Sequence, residues 1–381
     1  MLKLYLGVVC LIFAFGIQAQ STDPINVVTT AVPFLRISPD ARAGGMGELA
    51  VATSPDANAQ FYNLAKYPFS SGKSAVALTY TPWLKDLGLN DVYMTTLAGY
   101  YKLDDVQAIS GSLRYFSLGN IQFTDNLGND LNSFRPREVA IDAGYSRKLS
   151  DKLGLGVALR YINSNLAGGA AVNGVSYKAG QTVAGDLGLF YTNAKDDGSY
   201  WNFGVALTNL GAKIGYTDDV SQKDFIPANL GLGAVYSKIF NEVNKISFGI
   251  DVMKLMVPTP PELGDSAGLV KYRSQGVVSS WFTSFADAPG GFSEELQEFY
   301  FSFGAEYWYN NQFAFRTGYF YEHPNKGNRQ YFTMGAGIKY NIFGLNFSYL
   351  IPSGSGVNRN PLSNTIRFSL IFDFDALDSK E

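Results

Sequence analysis

Few residues of this 381-residue chain have the types and spacing that catalysis requires. His323 is the only histidine, and the surrounding segment 321–325 (Tyr-Glu-His-Pro-Asn) predicts a turn. A serine hydrolase needs a serine, a histidine and an orienting acid or amide held close together. A histidine-based metal site needs a second histidine, and one histidine before a proline is more typical of a turn. We therefore predict that the protein is not an enzyme and has no catalytic residue.

Candidate metal, cofactor and nucleic-acid sites are equally sparse. The carboxylate pairs Asp218-Asp219 and Glu294-Glu295 could bind calcium, but scattered acidic residues of this kind are more typical of solvated loops. The glycine-rich run 44–47 (Gly-Gly-Met-Gly) lacks the lysine and the spacing of a phosphate-binding P-loop. The formal net charge of -3 argues against nucleic-acid binding, which needs a basic patch. The sequence predicts no cofactor, no metal and no nucleic-acid partner.

The first residues predict export from the cytoplasm. Residues 1–19 have the features of a secretory signal peptide: Lys3, a long apolar run, and a small residue, Ala19, at the cleavage site. Cys10, the only cysteine, lies within that run, so the mature chain would have no disulfide and no thiolate ligand. After residue 19, no apolar run approaches the roughly 18 to 20 residues of a membrane-spanning helix. This predicts that the protein is not a helical membrane protein.

The main structural signal is a period-two alternation between about residue 74 and residue 374. Segments of roughly ten residues alternate bulky apolar side chains with Gly, Ser, Asp or Arg, as two-faced strands do. In the last segment the apolar face contains Ile366, Phe368, Leu370, Phe372 and Phe374. Arg367, Ser369 and Asp373 lie on the other face, and such glycines and isolated charges suit a lumen better than open solvent. The fold class predicted is all-β, an antiparallel transmembrane β-barrel.

The alternation predicts about 14 strands, an even number as bacterial barrels require. They are expected near residues 74–83, 92–103, 106–118, 138–149, 152–164, 183–194, 200–210, 228–237, 245–255, 299–309, 312–322, 330–341, 343–351 and 363–374. Short turns then alternate with longer connections, of which the longest is about 256–298. We expect the turns and both termini to be periplasmic and the long loops extracellular, in the cell outer membrane. The chain would divide into a signal peptide (1–19), an N-terminal plug segment (20–73) and the barrel (74–381).

Several charged residues fall on the predicted inner face. They are Arg114, Asp142, Arg160, Asp186, Asp251, Glu306, Arg316, Lys339 and Arg367. Paired charges survive burial, so these residues could form a hydrogen-bonded network that fixes the register and holds a plug. A selective pore lining is the other interpretation. The sequence does not separate the two.

Residues 20–73 do not alternate, and their Gly-rich and Ala-rich composition predicts a compact plug in the barrel mouth. Ser38 could cap a helical turn with Pro39 at its first position. Two stretches stand out: 34–47 (Phe-Leu-Arg-Ile-Ser-Pro-Asp-Ala-Arg-Ala-Gly-Gly-Met-Gly) and 56–65 (Asp-Ala-Asn-Ala-Gln-Phe-Tyr-Asn-Leu-Ala). The residues assigned to this plug motif are Asp40, Arg42, Gly44, Gly45, Gly47 and Asn63.

These stretches, with the barrel behind them, resemble the FadL-like outer-membrane barrels. Within that group the chain looks most like the PorV and PorQ proteins of the Bacteroidetes type IX secretion system, over essentially all of its mature length. FadL-type plugs often have Asn-Pro-Ala where this chain has Asn-Leu-Ala at residues 63–65. The resemblance therefore does not carry FadL ligand chemistry over to this chain directly.

The resemblance implies a non-enzymatic carrier role. Proteins of this group associate with the large type IX translocon channel and recognise the C-terminal signal domain of exported cargo. They deliver the cargo to a cell-surface attachment complex, so these three are the partners expected, beside outer-membrane lipid. The alternative is a FadL-like transporter of a hydrophobic small molecule, which would need an apolar pocket and a lateral exit beside a kinked or bulged strand. A purely structural barrel within a larger complex is the third possibility.

The long connection at about 256–298 is the best candidate for partner binding. Loops of this length are usually functional or disordered. It contains three aromatic residues close together, Trp281, Phe282 and Phe285, and exposed aromatic residues are typical interface anchors. The other interpretation is that they fold back over the barrel mouth as a lid.

Overall fold

A computed structural model gives the fold of the protein. It describes residues 26–124, 130–169, 171–172, 175–195, 198–261, 264–351, 362 and 364–374. The predicted signal peptide and the start of the plug segment lie outside the described residues, and so do residues 196–197 between the predicted strands 183–194 and 200–210. So does most of the predicted connection 352–362.

The described chain forms a closed antiparallel barrel, in which the first strand pairs with the last. Closure leaves no strand edge with unpaired backbone N–H and C=O groups. The strands are β1 (Ser74–Pro82), β2 (Val92–Lys102), β3 (Gln107–Leu118), β4 (Ile121–Thr124), β5 (Asp130–Phe134), β6 (Arg137–Lys148), β7 (Leu153–Asn165), β8 (Ala171–Val172), β9 (Val175–Ser176), β10 (Gly180–Ala194), β11 (Ser199–Gly211), β12 (Asn229–Ile239), β13 (Asn244–Leu255), β14 (Phe299–Tyr309), β15 (Phe313–Tyr321), β16 (Gln330–Tyr340), β17 (Phe343–Ile351) and β18 (Ile366–Asp373). The barrel order is β1-β18-β17-β16-β15-β14-β13-β12-β11-β10-β7-β6-β3-β2. The predicted 14-stranded antiparallel barrel is confirmed.

The two short strand pairs β4-β5 and β8-β9 lie outside the barrel sheet. They occupy two of the predicted long loops, which were expected to carry no strands. Each pair continues the path of the two barrel strands that it joins, so a hairpin forms above the barrel. Strand periodicity could not reveal them because they are too short to alternate.

Helical structure is limited to short segments. The α-helices are α1 (Ala41–Gly44), α2 (Ser266–Ser274), α3 (Val277–Thr283) and α4 (Phe292–Gln297), and 3-10 turns occur at Pro33–Arg36, Ala59–Phe61, Leu64–Phe69, Lys85–Leu87, Val220–Gln222 and Pro324–Lys326. None of the described helices is long and apolar enough to cross a membrane. Helices α2 to α4 all lie in the connection between β13 and β14, which we call the rim loop (residues 256–298).

The barrel has an apolar outer face and a polar inner face, as the alternation predicts. On β18, for example, Phe368 is exposed whereas Arg367 and Ser369 are buried. The connections also alternate between short and long, so the barrel has a short-turn end and a long-loop end. Strand β1 begins and strand β18 ends at the short-turn end.

The described part of the plug segment, residues 26–73, runs through the barrel from one end to the other. Asn26 donates a backbone hydrogen bond to Asn325 at the long-loop end, 3.1 Å away. At the other end of the segment, the Ser70 carbonyl accepts a hydrogen bond from Lys102 at the short-turn end, 3.2 Å away. The first described residue therefore lies among the long loops, whereas Phe374 lies at the short-turn end. The two ends of the barrel sheet lie on one side, as the even strand count predicts, whereas the first described residues of the plug segment lie at the opposite end because this segment crosses the lumen once more.

The backbone of the plug segment packs directly against the barrel wall at Gly47. This residue has a φ of 65°, which glycine adopts without steric cost. A Cβ atom added here would lie 2.6 Å from the Tyr319 nitrogen and 2.8 Å from the Phe303 carbonyl oxygen. On the wall, a Cβ atom at Gly318 would lie 2.0 Å from the Met46 carbonyl carbon. Glycines on both sides therefore allow direct contact between the two backbones.

We expect Gly47→Ala to lower the free energy of unfolding well beyond the cost of its positive φ alone. Gly88→Ala is the matched control, because Gly88 has a φ of 80° and nothing within 4 Å of an added Cβ. The control should cost roughly 1 kcal/mol, and overpacking should add about 1–3 kcal/mol for Gly47→Ala. Urea unfolding in detergent micelles measures both values. Equal losses for the two variants would contradict the close packing.

Candidate functional site

The plug segment is fixed to the wall by a buried charge cluster. Arg42 donates from Nε and Nη2 to the two carboxylate oxygens of Glu306 on β14, at 2.9 and 2.8 Å. Arg316 on β15 donates from Nε to the same carboxylate at 2.7 Å. The remaining nitrogen of Arg42 donates to Asp56 at 2.7 Å and to the Ser54 carbonyl at 2.9 Å. Because a charge taken out of water is costly unless paired, these contacts hold the plug segment in one position.

Two other residues of the predicted plug motif fix its backbone. Asp40 is the N-cap of helix α1 and accepts hydrogen bonds from the Arg42 and Ala43 nitrogens at 2.7 and 3.0 Å. The helical turn therefore begins after Asp40 and not after Ser38, because a carboxylate at this position satisfies two free N–H groups. Asn63 donates to the Leu189 carbonyl of β10 at 2.8 Å, where it serves as a side-chain bridge to the wall.

Gly44, the last residue of helix α1, and its C-cap residue Gly45 lie against strands β18 and β16 of the wall. A Cβ atom at Gly44 would lie 2.7 Å from Arg367 Nη1, and one at Gly45 would lie 3.0 Å from the Gly335 Cα atom. The six residues of the predicted motif are therefore distributed along one buried interface between plug and barrel. They do not converge on a pocket.

The inward charges of the barrel are mostly paired with one another or with the plug. Asp251 accepts from the Ala50 and Val51 nitrogens at 2.7 and 2.9 Å, and Arg114 donates to the Leu35 carbonyl at 3.0 Å. Lys339 differs from the other predicted lumen charges because it lies at the open short-turn end, where it is half exposed and pairs with Asp373 at 2.8 Å. Among these residues the network interpretation fits better than a pore lining.

A second charge cluster lies behind an irregularity of the wall. Gly185 on β10 pairs with Leu210 on β11, but Leu187 pairs with Leu207, so two residues of β11 face the single residue Asp186. This is a β-bulge, and its residue Asn209 has a φ of 58°. The Asn209 nitrogen donates to Asp186 at 2.7 Å.

Arg160 completes this cluster on the lumen side of the bulge. It donates to Asp142 at 2.5 Å and to Asp186 at 2.8 Å, and it also donates to the Asn209 side chain. All of these groups are buried. The bulge is therefore closed on the inside by a satisfied polar network.

The plug segment divides the free space of the lumen into two separate cavities. The cavity nearer the long-loop end, which we call the upper lumen cavity, lies between Leu35, Phe61 and Phe320. It has a volume of about 90 Å³. Drug-sized ligands usually occupy cavities of about 300–1,000 Å³. A larger cavity of about 500 Å³ opens at the short-turn end, and its lining includes Lys245 and Lys339. The plug segment separates these two cavities.

A large apolar cavity lies outside the lumen. It has a volume of about 840 Å³ and is bounded by outward side chains of β6, β7 and β10, by the end of β11 and by helix α3. No described residue lines both this cavity and the upper lumen cavity. The bulge therefore has a polar network on one side and an apolar cavity on the other.

The rim loop is held on the barrel by buried ion pairs. Lys254 at the end of β13 contacts Glu295 and Glu298 of the rim loop, each at 2.6 Å. Lys326 contacts Glu298 at 3.0 Å and Glu294 at 2.5 Å. Burial acts to raise the pKa of Glu294, but the hydrogen bond and charge of Lys326 outweigh it and lower that pKa. Helix α4 is thereby docked at the long-loop end.

A group of three carboxylates accompanies these lysines. Oxygen atoms of Asp287, Glu295 and Glu298 lie within 4.8 Å of one another, a spacing that could hold a metal ion. Burial raises the pKa of Asp287, and the charges of Glu298 and Glu295 add to the effect. Because Lys254 and Lys326 already balance the two glutamates, the cluster does not need a cation to be stable.

The three predicted partner-binding aromatics occupy different environments. Trp281 lines the outer apolar cavity, whereas Phe282 is 75% exposed and does not line it. Phe285 lies over Lys254, with 5.4 Å between the ammonium nitrogen and the ring centroid. The sequence also missed Phe292, which is 77% exposed at the start of α4. Phe292 follows two glycines, a pattern typical of a loop, so the sequence did not predict that it begins a helix at the long-loop end.

His323 has the turn role that the sequence predicts. It is the N-cap of the 3-10 turn Pro324–Lys326, and its Nδ1 atom accepts a hydrogen bond from the Asn325 nitrogen at 3.2 Å. Next to it, burial acts to raise the pKa of Glu322, but hydrogen bonds and charge from Arg329 and Arg36 lower it overall.

Comparison with known proteins identifies the family. The family model described as type IX secretion system protein PorV matches residues 19–262, well over half of the chain. The chain belongs to the PorV family. It is therefore a component of the type IX secretion system and an outer-membrane β-barrel. Neither the PorV family nor the FadL-like transporters are enzyme families.

Solved structures show the fold more broadly. The toluene transporter TodX of P. putida is 15% identical, with a TM-score of 0.50 over 88% of this chain and 98% of its own. The toluene transporter TbuX of Ralstonia pickettii (12% identical, TM-score 0.49) covers 87% of this chain and 97% of its own. A FadL homologue of Pseudomonas aeruginosa (11%, TM-score 0.44) covers 92% and 99%. At these identities the likeness concerns the fold alone, and the match to TodX confirms a FadL-like barrel for this PorV-family chain. No curated protein matches the chain significantly.

We expect Glu306→Gln to destabilise the barrel strongly, because it leaves Arg316 buried without its countercharge and leaves Arg42 with Asp56 as its remaining ion-pair partner. Breaking a buried pair in this way typically costs about 3–5 kcal/mol. Asp373→Asn is the matched control, since its pair with Lys339 is partly exposed and should contribute no more than about 1 kcal/mol. Urea unfolding midpoints measure both effects. Similar midpoints for the two variants would contradict the anchoring role of Glu306.

We also expect Lys254→Met to release helix α4, because Glu295 and Glu298 would lose the cation that both contact. The rim loop should then be cleaved by proteinase K several-fold faster while the barrel stays resistant. Lys245→Met on the same strand is the control, because Lys245 lies at the short-turn end. Unchanged cleavage of the rim loop in Lys254→Met would show that other contacts hold it.

Proposed function

We propose that the protein is a non-enzymatic carrier of the type IX secretion system. In this role it associates with the large translocon channel and binds the C-terminal signal domain of exported cargo. It then delivers the cargo to the cell-surface attachment complex. The long-loop end faces the cell exterior and the short-turn end faces the periplasm. The family match supports this role, and the filled lumen is the structural observation that carries it.

The filled lumen favours a surface role because no continuous space remains for a substrate. The upper cavity of about 90 Å³ is too small for most ligands, and the plug segment is held by the buried contacts of Arg42. A protein that does not pass material through its barrel must act through its exposed surfaces. The long-loop end offers the rim loop, which is docked by buried ion pairs and displays Phe282 and Phe292. Exposed aromatic residues on a fixed support are suitable anchors for a protein partner.

A FadL-like transporter of a hydrophobic small molecule is the second candidate. It is favoured by the β-bulge at Asn209 and by the apolar cavity of about 840 Å³ beside it. The lumen side of the bulge argues against it, because the buried Arg160 cluster lies between this cavity and the lumen. An apolar molecule would have to disrupt three contacts of a buried guanidinium to pass there.

The decisive experiment is affinity purification from outer membranes in mild detergent, followed by mass spectrometry. We expect the wild type to recover a very large channel protein and cargo that shares a C-terminal domain. Phe282→Ser combined with Phe292→Ser should reduce that recovery at least about tenfold, since each truncated hot-spot aromatic typically costs 2 kcal/mol or more. The control is Phe240→Ser, which removes an exposed aromatic residue at the short-turn end.

Normal recovery of the channel and normal cargo display in the double variant would contradict the proposed role of the rim loop. Recovery of the barrel alone with bound fatty acid would favour the transporter. Heat-modifiable migration on gels checks that each variant has folded.

A further inference from the structure

The backbone of the plug segment is strained at Val32. This residue has φ and ψ angles of 48° and 51°, which place it in the left-handed region. Among the described residues, Val32 is the only β-branched one with a positive φ. A β-branched side chain is costly in this region, and the residue before a proline, here Pro33, favours an extended backbone. Such strain persists only where the surroundings hold the backbone in place.

The chain before Val32 is held by the loops at the long-loop end. Val28 belongs to a buried apolar cluster, which we call the surface cluster, with Phe225, Leu255 and Val257. Two side chains of the rim loop, Tyr272 of α2 and Val277 of α3, pack against this cluster. The Ala31 nitrogen also donates to the Phe225 carbonyl at 2.9 Å. The rim loop and the residues before Val32 therefore share one region of apolar contact.

The chain after Val32 borders free volume in the lumen. Val32 and Phe34 are buried in an apolar cluster with wall residues that include Met94 and Phe116. The five successive residues 35–39 then all line the upper lumen cavity. Two side chains of the wall, Arg114 and Thr96, donate to carbonyl groups of this stretch, each at 3.0 Å. These contacts hold its backbone but leave space beside it.

The ion pairs of the plug segment differ on the two sides of residue 40. Arg42 pairs with both Glu306 and Asp56, at 2.8 and 2.7 Å, and all of its partners are inside the barrel. Residues 26–39 have one described ion pair, between Arg36 and Glu322 at 3.1 Å. Glu322 also pairs with Arg329, so this carboxylate keeps a partner if Arg36 moves away. Breaking the pair of Arg36 therefore costs less than breaking the buried pairs of Arg42.

We propose that residues 26–39, which we call the upper plug, form a strained latch between the rim loop and the lumen. The docked rim loop keeps Val28 in the surface cluster, and this contact keeps Val32 in its strained conformation. When the rim loop is displaced, the upper plug leaves the surface cluster and relaxes, while Arg42 holds the rest of the plug in place and the barrel stays closed. The two ends of the latch thus bias one two-state element. This inference goes beyond the carrier role and does not depend on it.

The test uses single cysteines, because the sequence has no cysteine after Cys10. Val28→Cys places a thiol in the surface cluster, Ser38→Cys places one at the upper lumen cavity, and Thr53→Cys places one beyond Arg42 in the chain. All three native side chains are buried. The full protein in detergent micelles is treated with a charged methanethiosulfonate. Mass spectrometry then follows the rate of modification at each position.

Val277→Ser weakens the surface cluster from the side of the rim loop. It should speed modification at positions 28 and 38 about tenfold, the change expected when the burial of one valine side chain is lost. Position 53 should be unchanged. Val278→Ser is the matched control, because both valines line the outer apolar cavity but Val278 does not belong to the surface cluster. Heat-modifiable migration again verifies folding.

A second pair of variants, Val32→Gly and Val32→Ala, measures the strain. Both remove the apolar side chain beyond Cβ, and they differ only in the Cβ atom. In an unstrained backbone the glycine variant would be the more mobile one. At a positive φ the order reverses, because alanine is strained there and glycine is not. Modification of Ser38→Cys should therefore be roughly fivefold slower in Val32→Gly than in Val32→Ala.

Faster modification at position 28 alone in Val277→Ser would overturn the proposal, because the surface cluster and the lumen would then move independently. Equal acceleration at position 53 would also overturn it, since the whole plug segment would be opening. So would modification in Val32→Gly that is as fast as in Val32→Ala, because Val32 would then store no strain. None of these measurements uses a secretion partner, so their outcome is separate from that of the carrier role.

Discussion

The pairing of Arg42 with Glu306 inside the barrel is the interaction on which the rest of the structure depends. Both groups are buried, and each would be costly to leave alone in the lumen. Arg42 belongs to the plug segment and Glu306 to the wall, so the plug cannot leave without uncovering two charges. The filled lumen follows from this link. A barrel without a passage has only its ends and its outer surface with which to bind partners.

Much of the barrel could be predicted because strand alternation is a local property. The outward Phe368 and the inward Arg367 are adjacent in sequence, and no knowledge of their neighbours is needed to assign their faces. The path of the plug segment was not predictable in this way. Its crossing of the lumen depends on contacts such as that of Asn26 with Asn325, which lie far apart in sequence. The three helices of the rim loop were not predictable either, because they are short and because α4 takes its position from ion pairs with Lys254 and Lys326.

The candidate site was predictable at the level of residue types but not of partners. Asp40 and Gly47 have roles that their types restrict: a carboxylate caps a helix, and a glycine permits a positive φ in close contact with another backbone. Glu306 could be assigned to the inner face, but its partner Arg42 lies 264 residues earlier in the chain. The environments of the aromatic residues were not predictable either. Nothing in the local sequence indicates that Trp281 lines the outer apolar cavity whereas its neighbour Phe282 is exposed.

The β-bulge between β10 and β11 connects the interior with the outer surface and helps to decide between the two candidate functions. On the inside it places Asn209 where its nitrogen donates to Asp186, so the extra residue contributes to the Arg160 network and does not open the wall. On the outside, the same strands present Gly185 and leave a dent. A passage for apolar molecules would need the opposite arrangement, with the small residues continuous from lumen to membrane. Because buried charge separates the two sides, the outer apolar cavity is a surface feature of a closed barrel. Such a feature suits a protein that works at its periphery, among lipid and protein partners.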